Sequence, residues 1–143
     1  KDSFSHYRIR VEHRFVGKQI KGGIAESESL MDAVTAISGT GPTYFYFLID
    51  VMIESAVNFG IDPETARFLA IETACGATAL ASAETESMSS LIERGRSPGG
   101  TTQAALECLD TADVRDSFAK AIDAAKERSI ELAQQVGKDE LVR

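Results

Sequence analysis

Eighteen residues in the middle of this chain restrict its fold more than any others. From Pro42 to Phe59 the sequence runs through Tyr44, Phe45, Tyr46, Phe47, Leu48, Ile49, Val51, Met52, Ile53, Val57 and Phe59, and only Asp50, Glu54, Ser55 and Asn58 are clearly polar. Pro42 suits the first position of a helix, where its missing N–H costs nothing, and Gly60 suits the residue just past its end. A helix this apolar is expected to be buried on every side. The chain has 143 residues, enough for one domain. A single small bundle would leave one side of such a helix uncovered.

The flanking segments carry helical period. Ser29 is expected to cap a short helix over Leu30 to Ile37, with Leu30, Met31, Val34 and Ile37 on one stripe. Ser38-Gly39-Thr40-Gly41-Pro42 then reads as a tight turn into the apolar helix. Asp62-Pro63-Glu64 combines a capping Asp, a proline at the first position and an acid in the first turn. The helix it opens runs to about Ala83 and is rich in alanine, which allows close helix packing. Ser87 caps a short helix ended by Gly95, a further helix covers Gln103 to Leu109, and Asp113 caps the last one. Its apolar face is Val114, Phe118, Ala121, Ile122, Ala125, Ser129, Leu132 and Val136, and Gly137 is expected to end it. The fold class is all-α, a bundle of five to six helices. Residues 7–12 alternate in polarity and predict a short N-terminal strand.

Charge divides the chain. Residues 1–23 carry six Lys or Arg against Asp2 and Glu12, whereas residues 24–143 carry nine against twenty Asp or Glu. The break marks either a tail or domain junction, or the solvated edge of a basic strand. The net charge of −7 argues against nucleic acid as a partner. No apolar run approaches the ~18–20 residues of a membrane span, and no secretory signal pattern opens the chain, so a cytoplasmic setting without membrane contact is expected. Cys75 and Cys108 are read as buried, reduced thiols, and with His6 and His13 they make no metal-ligand spacing.

Two segments differ from ordinary helix connectors. In Ser97-Pro98-Gly99-Gly100-Thr101-Thr102, paired glycines stand at a helix start, where unpaired N–H groups and the positive dipole end attract anions. Ser97, Thr101 and Thr102 add hydroxyls. A small carboxylate fits this chemistry better than a phosphate, which usually brings a Lys or Arg. A plain turn with an N-cap is the competing reading and is favoured by spacing alone. The second segment, Ser38 to Pro42, holds a Gly-X-Gly, but no strand precedes it and no third glycine follows at the expected offset, so a dinucleotide fingerprint is rejected. Glu84 and Glu86 read as a solvated face, and no serine elbow or histidine–nucleophile pair occurs.

Leu30-Met31-Asp32-Ala33-Val34-Thr35-Ala36-Ile37-Ser38-Gly39-Thr40-Gly41-Pro42-Thr43-Tyr44-Phe45 and Ser97-Pro98-Gly99-Gly100-Thr101-Thr102-Gln103-Ala104-Ala105-Leu106 together resemble pyrroline-5-carboxylate reductases. The first is similar to that family's D-A-V-T-A-x-S-G-x-G-P-A-Y-x-F segment and the second to its S-P-G-G-x-T-x-x-A-L signature. The resemblance covers roughly Gly23 to Leu132. It implies reduction of the cyclic imine of 1-pyrroline-5-carboxylate to L-proline, an oxidoreductase step on a CH–NH group in which NADP or NAD in its reduced form gives the hydride. It also implies a homodimer of interlocked helices, or a higher oligomer. Carried over, the substrate carboxylate is bound by Ser97, Gly99, Gly100, Thr101 and Thr102, with hydroxyls from Ser97 and Thr102 and backbone N–H groups around Gly100 and Thr101.

The departures are equally specific. Gly95 and Arg96 stand where the family has a hydrophobic residue and then Ser, Thr, Ala or Cys, and Thr43 replaces the usual alanine. The resemblance places residues 24–143 as the dimerisation domain. Residues 1–23 remain unassigned, either a leader or a remnant of the junction with a nucleotide-binding domain. The alternatives are a stand-alone helical dimerisation module and the helical half of another NAD(P)-linked dehydrogenase. Neither a catalytic residue nor a cofactor-binding residue is assigned, and the chain alone is expected to be inactive. Because residues 1–143 contain no dinucleotide fingerprint, a fluorescence titration of the chain with NADPH should show no micromolar binding.

Overall fold

Helices account for nearly all of the computed structural model, which describes residues 28–140. The elements are α1 (Glu28–Val34), a π-helical turn (Thr35–Gly39), α2 (Gly41–Asn58), α3 (Pro63–Ala83), α4 (Met88–Gly95), α5 (Thr101–Thr111) and α6 (Val114–Glu140). The all-α expectation holds. The expected strand over residues 7–12 lies outside the described residues, as does the basic segment.

Several helix ends result from local chemistry. Past α2, Gly60 takes φ +94°. Its N–H donates to Val57 O at 2.9 Å and that of Ile61 to Ala56 O at 3.1 Å. These paired bonds form a Schellman motif, and a Cβ at Gly60 would oppose the backbone it needs. Asp62 stands in extended conformation before α3, and its carboxylate accepts the Thr65 N–H at 3.0 Å. Ser87 caps α4 by accepting the Ser90 N–H at 3.2 Å.

Other ends depart from expectation. Ser29 lies inside α1, which already starts at Glu28. Helix starts of this kind shift by a residue or two without a strong local signal. The stripe of Leu30, Met31, Val34 and Ile37 is interrupted by the π turn, in which Thr40 N–H donates to Thr35 O at 3.0 Å. The extra residue in that turn rotates the helix face, so Ala36 is buried while Ile37 faces out. Only Thr40 separates the π turn from α2, so no open turn forms there.

At the junction of α5 and α6, Asp113 does not hold the extended backbone of an N-cap. It adopts φ +55° and donates its N–H to Asp110 O at 3.1 Å, which finishes α5 instead. Asp tolerates the left-handed region better than most residues. Gly137 does not end α6, which continues to Glu140. A glycine inside a helix costs ~1 kcal/mol, too little to break a 27-residue helix. α5 begins at Thr101, two residues before the expected start.

The described residues fall into two compact units, 28–44 with 116–140, and 45–115. In the first, the edge of Tyr44 meets Phe118 with ring centroids 5.4 Å apart, and the Tyr44 hydroxyl donates to Ala36 O at 3.3 Å. Ser129 Oγ donates to Asp32 Oδ1 at 2.7 Å, joining positions 97 residues apart. In the second, Ala66 and Ala70 are buried one turn apart on α3. Arg94 bridges Glu84 at 3.2 Å and Glu86 at 3.0 Å, and Ser90 Oγ donates to Glu86 at 2.7 Å.

Among the described residues, only Ala36, Ala66 and Ala70 are buried apolar residues. The expectation that the apolar helix is covered on every side therefore fails for the single chain. Phe45, Tyr46, Phe47, Leu48, Val51 and Met52 of α2 are exposed by between 42% (Met52) and 62% (Phe47). Cys75 and Cys108 are free, as expected, but exposed rather than buried.

Asp62 gives a testable dependence on pH. Its carboxyl is held below the ordinary value of 3.8 first by the Thr65 side chain and then by the Thr65 N–H, both of which favour the charged form. A depressed folded-state value contributes stability that is complete above the unfolded value and is lost as pH falls through the folded one. Asp62→Asn should keep an acceptor oxygen but make the unfolding temperature fall less steeply below about pH 4. Calorimetry from neutral to acidic pH reads this difference.

Candidate functional site

The segment between α4 and α5 is a β-turn that its own sequence favours. Gly100 N–H donates to Ser97 O at 2.9 Å, Pro98 fills the second position, and Gly99 takes φ +70° in the third. Proline followed by a left-handed glycine defines a type II turn. A Cβ on Gly100 would lie 3.1 Å from Ser97 O and 3.2 Å from Ser97 Cβ. Gly99 is therefore required by its backbone, and at Gly100 a side chain would press on Ser97.

The turn delivers the chain directly into α5, with Gly100 as an N-cap that has no side-chain bond of its own. The first helical bond is from Ala104 N–H to Gly100 O at 3.2 Å. The N–H groups of Thr101, Thr102 and Gln103 have no acceptor among the described residues, as geometry requires of a first helical turn. Those of Gly99 and Gly100 differ. Gly100 is bonded to Ser97, and Gly99 N–H donates to Gln103 Oε1 at 2.8 Å. The backbone donors open to an anion thus lie one to three residues beyond Gly100, on α5.

Ser97, Thr101 and Thr102 are all exposed at this helix start. Their hydroxyls have no hydrogen-bond partner among the described residues. The structure brings the five sequence-predicted residues, Ser97, Gly99, Gly100, Thr101 and Thr102, together in one turn and the helical turn after it. Arg96, which departs from the family pattern, is not directed wholly to solvent. Its guanidinium pairs with Glu93 at 3.5 Å and its Nε is buried without a partner.

Sequence reading overlooked two residues. Gln103 reaches back to Gly99, and its Nε2 donates to Glu107 Oε1 at 2.7 Å. A Gln at the third position of a helix is the signal that could have found the first of them, because this residue often turns back to cap the N-terminus. The Gly39–Gly41 segment plays no comparable part. A π-helical turn precedes Gly41, where a dinucleotide fingerprint needs a strand. Among the described residues no cluster of His, Cys, Asp or Glu could hold a metal ion.

Comparison with known proteins places this geometry in a family. The family described as pyrroline-5-carboxylate reductase dimerisation matches residues 28–132. The chain is 38% identical over 112 residues to a pyrroline-5-carboxylate reductase of Pseudomonas aeruginosa, covering 78% of this chain and 41% of that protein. It is 39% identical over 108 residues to the one from Methanosarcina acetivorans, covering 76% and 40%.

Among solved structures, a pyrroline-5-carboxylate reductase from Coxiella burnetii superposes with a TM-score of 0.72 at 36% identity, covering 75% of this chain and 40% of that one. A Plasmodium falciparum pyrroline carboxylate reductase with NADP bound gives 0.70 at 32% identity, covering 72% and 39%. The chain thus spans about 40% of the length of these relatives. The similarity runs from the start of α1 into α6, through the Ser97–Thr102 turn, and the chain belongs to the pyrroline-5-carboxylate reductase dimerisation family.

Proposed function

We propose that residues 24–143 form the dimerisation and substrate-binding domain of a pyrroline-5-carboxylate reductase that reduces 1-pyrroline-5-carboxylate to L-proline. The observation that carries this reading is the family match over residues 28–132, which includes the whole turn from Ser97 to Thr102. The substrate carboxylate sits at the start of α5, against the N–H groups of Thr101, Thr102 and Gln103 and the hydroxyls of Ser97 and Thr102. Such a cradle stabilises an anion without a fixed cation, through oriented N–H groups and the helix dipole. Reduced NADP or NAD, when bound elsewhere in the enzyme, supplies the hydride to the imine carbon. NADP bound to the Plasmodium relative supports the choice of cofactor class. The part of this domain is to hold the imino acid by its carboxylate so that its C=N bond is presented in one orientation.

Thr102→Val keeps the shape of the residue and removes one donor. In an enzyme carrying this domain, loss of a hydrogen bond to a charged group is worth ~1.5–3 kcal/mol. The Michaelis constant for the imino acid should then rise about tenfold or more, while that for NADPH stays unchanged. An unchanged imino-acid constant would remove Thr102 from the site.

The second part of the proposal is a homodimer. Six α2 side chains from Phe45 to Met52 are half-exposed in the single chain. Covering the remaining half of each, at ~1.5–3 kcal/mol for a fully buried side chain, contributes roughly 5–9 kcal/mol. That is comparable with the whole stability of a typical domain, ~5–15 kcal/mol. Folding and association should therefore be coupled, with an interface of ~2,000 Å² or more. The unfolding midpoint should rise with protein concentration. A folded species of 15.4 kDa in sedimentation at micromolar concentration would overturn the dimer. The setting is the cytoplasm, where the free thiols of Cys75 and Cys108 stay reduced.

A further inference from the structure

The carboxylate cradle makes no use of the bond between Gly99 and Gln103, yet that bond bears on whether the cradle exists. A type II turn and a type I turn differ by a half-rotation of the central peptide. Here that peptide joins Pro98 to Gly99, and its N–H is the one Gln103 Oε1 accepts at 2.8 Å. Flipping it would turn the Pro98 carbonyl toward the start of α5, where a carboxylate would meet an oxygen instead of donors. Nothing else among the described residues holds this N–H.

The Gln103 amide is held in turn. An amide can present either its oxygen or its NH2 group, and only the oxygen can accept from Gly99. Glu107, one turn further along α5, accepts from Gln103 Nε2 at 2.7 Å. An ionised carboxylate accepts only, so it draws the NH2 end toward itself and leaves the oxygen facing Gly99.

We infer that Gln103 and Glu107 are positioning residues for recognition of the imino-acid carboxylate, locking the Ser97–Gly100 turn in the form that keeps the start of α5 open. Neither touches the substrate through its side chain. The inference rests on the proposed role of the turn, and the experiment separates the two. In an enzyme carrying this domain, Gln103→Met keeps the length of the side chain and removes the amide. The imino-acid Michaelis constant should rise about three- to tenfold, the effect of one net hydrogen bond, with kcat and the NADPH constant within about twofold of the parent. Glu107→Leu should raise the same constant and Glu107→Gln should restore it, because the glutamine keeps an acceptor oxygen. Gln103→Glu retains an acceptor for Gly99 but sets a negative charge beside Glu107 and the cradle, so it should bind the imino acid less well than Gln103→Met.

If Thr102→Val raises the imino-acid constant and Gln103→Met does not, the positioning role is refuted and the site stands. If neither does, the site itself is refuted. Equal losses in the imino-acid and NADPH constants together with a lowered unfolding temperature would mark Gln103 as a structural residue and overturn the inference.

Discussion

Water lies against the aromatic and aliphatic side chains of α2 in the single chain, and the rest of the architecture depends on that contact being removed. The buried apolar side chains among the described residues are those of Ala36, Ala66 and Ala70, which permit close approach of backbones but bury little area themselves. Phe47 and its neighbours on α2 are among the large apolar side chains that stay exposed in the single chain. A family built around dimerisation resolves this arrangement physically. Self-association, which the family's description implies, is the proposed source of the missing cover.

Because so little is enclosed, local devices carry much of the helical order. Asp62, Ser87 and Gly60 each satisfy orphan backbone groups at a helix end without reference to distant residues. Arg94 draws the end of α3 and the start of α4 together through Glu84 and Glu86, though exposed ion pairs of this kind contribute at most ~1 kcal/mol each. More specific are the few contacts between residues far apart in sequence. Ser129 to Asp32 and Tyr44 to Phe118 fix the partners of α1 and of the start of α2 within one unit.

In the Ser97–Thr102 segment a tight turn and the unbonded first N–H groups of a helix come from the same few residues. Pro98 and Gly99 make the turn, Gly100 is small because Ser97 lies against it, and α5 begins with unbonded N–H groups as a matter of geometry. A turn and an anion site are therefore not exclusive here. The glycines answer to the turn, and the N–H groups left without an acceptor among the described residues are those of Thr101, Thr102 and Gln103. Arg96 adds no clear cation to it, since Glu93 already holds its guanidinium.

The sequence by itself determined whatever depends on a few neighbouring residues: the all-α class, the Asp62 and Ser87 caps, the Gly60 stop, and the placing of Ser97, Gly99 and Gly100 directly ahead of Thr101 and Thr102 at a helix start. These are short-range preferences of several tenths to about one kcal/mol, and they act before any tertiary contact forms. Tertiary structure decided the rest. It turned Ala36 in and Ile37 out through a π turn, set Asp113 to close α5 rather than open α6, and carried α6 past Gly137. It also left Cys75, Cys108 and the α2 side chains at the surface. Periodicity reveals which face of a helix is apolar, but the surface that covers that face is set by packing.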